Sequence, residues 1–370
     1  MAKTLKIKPN RLLILALAVL LIIGLAVGLV SLLFGSRGAA LQLAPTSLAR
    51  GQDFRIDGEG IAFATDEAFF EYRAGGGGNP LTTTPLGAPI SGYDMSGDNL
   101  AVFSGSTLQI RGLAEVELTG TIHAVRCGNN HVAVLRRNAQ SGADSIIVFD
   151  SAGAASADAL DYSDGKVLNF GFHTEGGNEL LWAVTVATAQ SRPVFVVKMH
   201  DYAGGGAMRY LPSFFDQAIE RIFFTEDSIF VAGTQDLVRY TLTGGREKYR
   251  VRIFGQSVLD MGTSSGGVSF LLQPRGENFL RTLRVLTVAE SDYAGESLVS
   301  LHLPDAPVSA FLQNGSLYAF TSERLYGFNY AGRSILDLEL PATPLRVRAV
   351  GQAHMLFETE DRVYLATVTS

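Results

Sequence analysis

Gln313 to Arg333 reads QNGSLYAFTSERLYGFNYAGR. It opens on Asn314-Gly315, a dipeptide suited to tight hairpin turns because both residues tolerate positive φ. A strand-forming run follows at Ser316–Phe320, then a Ser-Glu turn, then a second run at Arg324–Phe328. Asn329-Tyr330-Ala331-Gly332 closes the unit with a small residue and a glycine, the punctuation that ends a strand. The stretch therefore predicts a β-hairpin followed by a glycine turn.

Versions of this unit recur beyond residue 50. The closing turn reappears as Tyr72-Arg73-Ala74-Gly75, Phe149-Asp150-Ser151-Ala152-Gly153 and Tyr240-Thr241-Leu242-Thr243-Gly244. Tyr-Ala-Gly occurs three times, ending at Gly204, Gly295 and Gly332, and Ile110-Arg111-Gly112 is a degenerate copy. From Gly75 to Gly332 the mean spacing is about 43 residues, the period of four-stranded propeller blades. A hairpin precedes each turn, and one more pair of runs, Met355–Phe357 and Val363–Ala366, follows the last, making eight hairpins. Their Val, Ile, Phe, Leu and Tyr content suits strands buried on both faces. The expected fold is all-β, an eight-bladed β-propeller, with seven blades as the alternative because the Ile110–Gly112 unit is degenerate. The final hairpin runs out at Ser370 without a fourth strand, and Leu41–Leu43 is the segment expected to supply it and close the ring. Arg246, Lys248, Arg250 and Arg252 alternate along one run, which reads as an outermost strand guarded by charge against edge pairing.

Hydrophobic residues make up 47% of the 370-residue chain and charged ones 18%, enough apolar material for a large core and too little charge for disorder. One cysteine, Cys127, rules out an internal disulfide and a cysteine-rich metal site, and it reads as an inert core thiol. The net charge of −6 is unevenly spread. Lys3, Lys6, Lys8 and Arg11 make the first eleven residues +4, leaving a body of −10. A body so acidic argues against binding nucleic acid.

Residues 12–34 run LLILALAVLLIIGLAVGLVSLLF without a charge or a proline. As a helix they would extend about 34 Å, enough to cross a hydrocarbon core of about 30 Å. The cations that precede this run place the N-terminus in the cytoplasm and the rest of the chain outside. The expected organisation is a cytoplasmic basic tail (1–11), a transmembrane helix (12–34), a juxtamembrane link (35–50) and a β-propeller (51–370). Gly24 and Gly28 form a GxxxG that would permit weak helix–helix contact and a homodimer.

The hairpin-and-turn units resemble those of bacterial WD40-like, YVTN-like and quinoprotein-like β-propellers. With its N-terminal apolar run, the chain also resembles a family of membrane-anchored propellers found mainly in Clostridia. The resemblance covers residues 41–370 and rests on loose motifs. The single tryptophan, Trp182, departs from the quinoprotein dehydrogenases, and the Gly-His and Trp-Asp pairs of eukaryotic WD40 repeats are missing. The resemblance implies a fold and a scaffolding role, with no catalytic residues to carry over.

Chemistry-bearing motifs are sparse. His123, His131, His173, His200, His302 and His354 show no zinc-site spacing. The acidic groups Asp53/Asp57, Asp161/Asp164 and Glu358/Glu360/Asp361 do not follow a calcium-loop pattern. No catalytic, cofactor-binding or metal-ligating residue is singled out, and no cofactor is expected. The expected function is a non-enzymatic protein- or peptide-binding scaffold or sensor, anchored in a bacterial membrane and exposed at the cell envelope. The alternative is a hydrolase or lyase of envelope polymers, with a composite site in the central channel.

Overall fold

The computed structural model describes residues 39–369, with interruptions at 66, 77–80, 87–88, 156–159, 176, 190, 202–206, 277–280 and 290–295. Lys3, Lys6, Lys8, Arg11, the apolar run 12–34 with Gly24 and Gly28, and the turn glycines Gly204 and Gly295 lie outside the described residues. Among the described residues no helix is long and apolar enough to cross a membrane.

Residues 43–367 fold as one compact unit of antiparallel four-stranded sheets. Eight such sheets are described, so the propeller has eight blades and the seven-bladed alternative is set aside. The degenerate Ile110–Gly112 turn belongs to a complete blade, Gly92–Ser96, Asn99–Ser104, Thr107–Ile110 and Val116–Glu117, whose outer strand is only shorter than the rest.

Blade 7 shows how the sequence builds the unit. Its strands are Ser309–Gln313, Ser316–Phe320, Arg324–Asn329 and Ser334–Glu339, paired in chain order. Asn314 and Gly315 turn the chain with φ of +48° and +73°. In the closing turn the Gly332 N–H donates to the Asn329 carbonyl at 2.9 Å, and Gly332 adopts φ +84°, a conformation costly for residues carrying a Cβ. Gly75, Gly112 and Gly153 repeat that left-handed geometry. In the Tyr240 unit it falls on Gly245 and not on Gly244.

The innermost strands, blade 1 to blade 8, are Arg55–Asp57, Gly92–Ser96, Thr121–Cys127, Lys166–Glu175, Ile219–Phe224, Gln256–Ser264, Ser309–Gln313 and Arg346–Val350. Blade 8 continues through His354–Glu358 and Val363–Thr369 and takes Ala40–Pro45 as its outermost strand. The Thr46 N–H and hydroxyl both donate to the Val363 carbonyl, at 3.1 and 2.7 Å. The last blade is thus completed by chain that precedes the first.

The core lies between blades, as expected for sheets that cannot cover their own faces. Ile229, Val231 and Tyr240 of blade 5 pack with Val184, Val197 and Met199 of blade 4. Phe230 of blade 5 packs with Phe270 of blade 6, ring centroids 5.1 Å apart. The strand Glu247–Arg252 is outermost in blade 5, and its cations are partly neutralised at home: Arg250 pairs with Asp236 at 2.9 Å and with Glu247 at 2.8 Å. Cys127 is buried, its thiol pushed up by desolvation and by the Asp94 carboxylate.

Candidate functional site

Two places concentrate residues whose chemistry exceeds what the fold needs: the inner ring of strands and one face of connectors.

Around the ring, side chains on one innermost strand reach the next. Arg348 donates to the Phe54 carbonyl at 3.1 Å, and its guanidinium carbon lies 5.1 Å from the Phe54 ring centroid. Arg55 sits 5.9 Å above the Tyr93 ring, and Arg126 sits 5.5 Å above Phe170. The Asp94 Oδ2 accepts the Cys127 N–H at 2.8 Å, and the Asp260 Oδ2 accepts the Leu312 N–H, also at 2.8 Å. Arg221 donates to the Leu259 carbonyl, Ser309 accepts the Val347 N–H, and His173 stacks on Phe224 at 4.4 Å. All eight seams are bridged this way.

Burial shapes the electrostatics of this ring. Desolvation raises the Asp94 carboxyl, opposed by the Cys127 N–H and by Arg126 and Arg55. Asp260 is raised for the same reason. The Arg348 guanidinium is lowered, first by desolvation and then by the like charge of Arg346. Tyr93 is pushed up to about 12 by burial and by Asp53.

The second place is the face formed by connectors that run from the outermost strand of one blade to the innermost strand of the next. Four consecutive connectors each leave one large apolar side chain in solvent. These are Phe215 (60% exposed), Phe254 (73%), Val308 (37%) and Leu345 (47%), leading into blades 5, 6, 7 and 8. Scattered exposed apolar residues are ordinary, but one on each of four successive connectors makes an arc on one face. On the opposite face, where each blade's first hairpin turns, a cavity of about 700 Å³ opens between blades 5 and 6, lined in part by Phe224, Asp227, Arg239 and Thr263.

The residues singled out from sequence scatter. The His131 Nδ1 lies 2.6 Å from the Glu179 Oε2, His200 is buried on blade 4, and His354 begins a strand of blade 8. Among the described residues no three His, Cys, Asp or Glu side chains come together as a metal site would require. Asp57 accepts the Gly97 N–H, Glu358 accepts the Gly51 N–H, and Asp164 pairs with Lys198 at 3.1 Å, all structural duties. The inner-ring arginines and the four connector residues escaped the sequence reading. The connectors ahead of the innermost strands, compared across repeats, carry the signal for the second group: one apolar residue one to four positions before the strand.

His200 supplies a test of the buried polar layer. It is 3% exposed, and desolvation together with Lys198 lowers its imidazole to about 4. A folded value below the unfolded one means that its contribution is complete above about pH 6.5 and is lost as pH falls toward 4. Between pH 7 and 5 the wild-type chain is expected to lose about 2 kcal/mol through this group. Urea titrations of wild type and His200→Leu at both pH values should show that increment in the wild type alone.

No protein-family model matches the chain, and no curated protein matches it. Among solved structures, the WD40 domain of SCAP from fission yeast is similar, with a TM-score of 0.59 at 10% identity, over 89% of this chain and 98% of that one. The computationally designed Ika8 protein gives 0.56 at 11% identity, over 89% of this chain and 100% of that one. At such identities the likeness speaks for fold alone: the chain is an all-β propeller with WD40-type structural neighbours.

Proposed function

We propose that this protein is a non-enzymatic scaffold or sensor that binds a protein or peptide partner. It is held at the outer face of a bacterial membrane by residues 12–34. The observation that carries the reading is the arc of Phe215, Phe254, Val308 and Leu345 on one face of the ring. Aromatic and aliphatic anchors on a rigid frame are what partner recognition draws on, because little entropy is lost in ordering them. The membrane part rests on the sequence, namely the uncharged run 12–34 and the four cations before it. The hydrolase or lyase alternative has less behind it. Asp94 and Asp260 stand on the inner ring, but each already accepts a backbone N–H from the neighbouring blade.

The test is a crosslinking pull-down of the full chain from its native membrane, beside the double variant Phe215→Asp, Phe254→Asp. Both positions are solvent-exposed, so thermal stability should hold within about 1 kcal/mol. Recovery of the partner should fall at least tenfold, as loss of two interface anchors would produce. Equal recovery by wild type and variant would remove the arc from the binding surface. Recovery from the soluble fraction alone would remove the anchor.

A further inference from the structure

Three arginines on the innermost strands of blades 8, 1 and 3 form a connected electrostatic group. Tyr93 feels both Arg348 and Arg55, and Asp94 feels both Arg55 and Arg126, so the chain of influence runs unbroken across four neighbouring blades. The carboxylates that answer it are Asp94 and Asp53, with Glu358 toward Arg348. Asp53 and Asp94 approach Arg55 only to 3.8 and 4.0 Å, and Asp53 is mostly in solvent. Neither Arg126 nor Arg348 has a carboxylate within 4 Å among the described residues. Arg346, on the same strand as Arg348, adds further positive charge.

Stapling the blades accounts for only part of this chemistry. A guanidinium carries five N–H donors. The hydrogen bonds described for Arg348 and Arg126 are one each, to the Phe54 and Val125 carbonyls, and the Arg55 Nε–H is buried without an acceptor. Each guanidinium is also held over an aromatic ring of the following blade, at 5.1, 5.9 and 5.5 Å. The described bonds take up one Nη1–H each of Arg348 and Arg126, which leaves further donors on both guanidiniums, and with such donors arginine grips a planar or tetrahedral oxyanion. A neutral staple could be made by Ser or Asn, as Ser309 does between blades 7 and 8.

We propose that Arg348, Arg55 and Arg126 form an oxyanion-binding arc around the central channel, which takes one phosphate or carboxylate group. The site is separate from the connector face and stands whether or not a protein partner binds there. Phosphate and carboxylate share the chemistry, and the test separates them.

Full-length chain purified in a non-ionic detergent is melted in chloride, in inorganic phosphate and in succinate at equal ionic strength. One of the two oxyanions should raise the melting temperature by roughly 2 °C or more over chloride, and titration calorimetry should show saturable binding. Arg126→Gln and Arg348→Gln should each weaken that binding about tenfold or more. Arg252→Gln, on the outer strand of blade 5, should leave it unchanged. A response to phosphate alone assigns a phosphate group, and a response to succinate alone assigns a carboxylate. Wild-type protein that responds to neither beyond chloride overturns the proposal, whatever the variants do. Binding that survives both inner-ring substitutions overturns it as well.

Discussion

Deleting residues 40–48 from the otherwise intact chain is expected to abolish cooperative unfolding of the ring or to lower its stability by about 5 kcal/mol or more. The deletion removes the outermost strand of blade 8, the paired Thr46 bonds to Val363, and Leu48, which is buried with Phe54, Ile61 and Val350 in the layer between blades 8 and 1. It also uncovers the edge of Val363–Thr369, a row of unpaired donors and acceptors that invites association. Thermal melts by far-UV circular dichroism would show a broad or absent transition, and size-exclusion chromatography would show aggregation. A melting temperature within about 2 °C of wild type would mean that the ring holds without this closure.

Phe270→Ala is expected to cost about 3–5 kcal/mol. Phe270 is fully buried on blade 6, 5.1 Å from the Phe230 ring and 5.9 Å from Phe223, both of blade 5. Truncation leaves a hole between two sheets that cannot collapse, because the inner strands on either side are tied around the ring. Phe254→Ala is the matched control. That ring is as large but lies in solvent, and its loss should change stability by about 0.5 kcal/mol or less. Chemical denaturation of the two variants would read the difference directly. Similar losses for both would contradict the assignment of the core to the layers between blades.

Why one phenylalanine is core and the other surface was not legible in the chain. Phe270 sits in Gly267–Pro274, where Val268, Phe270, Leu271 and Leu272 read as a buried strand. Phe254 follows Ile253, which is buried, and precedes Gly255 at φ +77°, so the pair looks like the end of one strand. Only the path of the connector turns the first side chain inward and the second outward. The inner-ring arginines were hidden for a related reason. Arg348 and Phe54 are 294 positions apart, and Arg126 and Phe170 are 44 apart, so no local pattern joins them.

The repeated hairpins, the glycine turns and the period of about 43 residues determined a great deal without any structure. Turn chemistry and hydrophobic patterning are local, and each blade declares itself within its own length. The sequence also carried the apolar run at 12–34 with its basic flank, since span length and charge bias are properties of composition along the chain. The tertiary structure decided the blade count at the degenerate Ile110–Gly112 unit, where Gly92–Ser96 pairs with Asn99–Ser104 and Val116–Glu117 with Thr107–Ile110, completing a sheet that local signals left in doubt. It decided too which side chains meet around the ring and which face carries the apolar arc. Those depend on ring closure, which brings together residues hundreds of positions apart and assigns each connector to one face, and closure is a property of all eight blades at once.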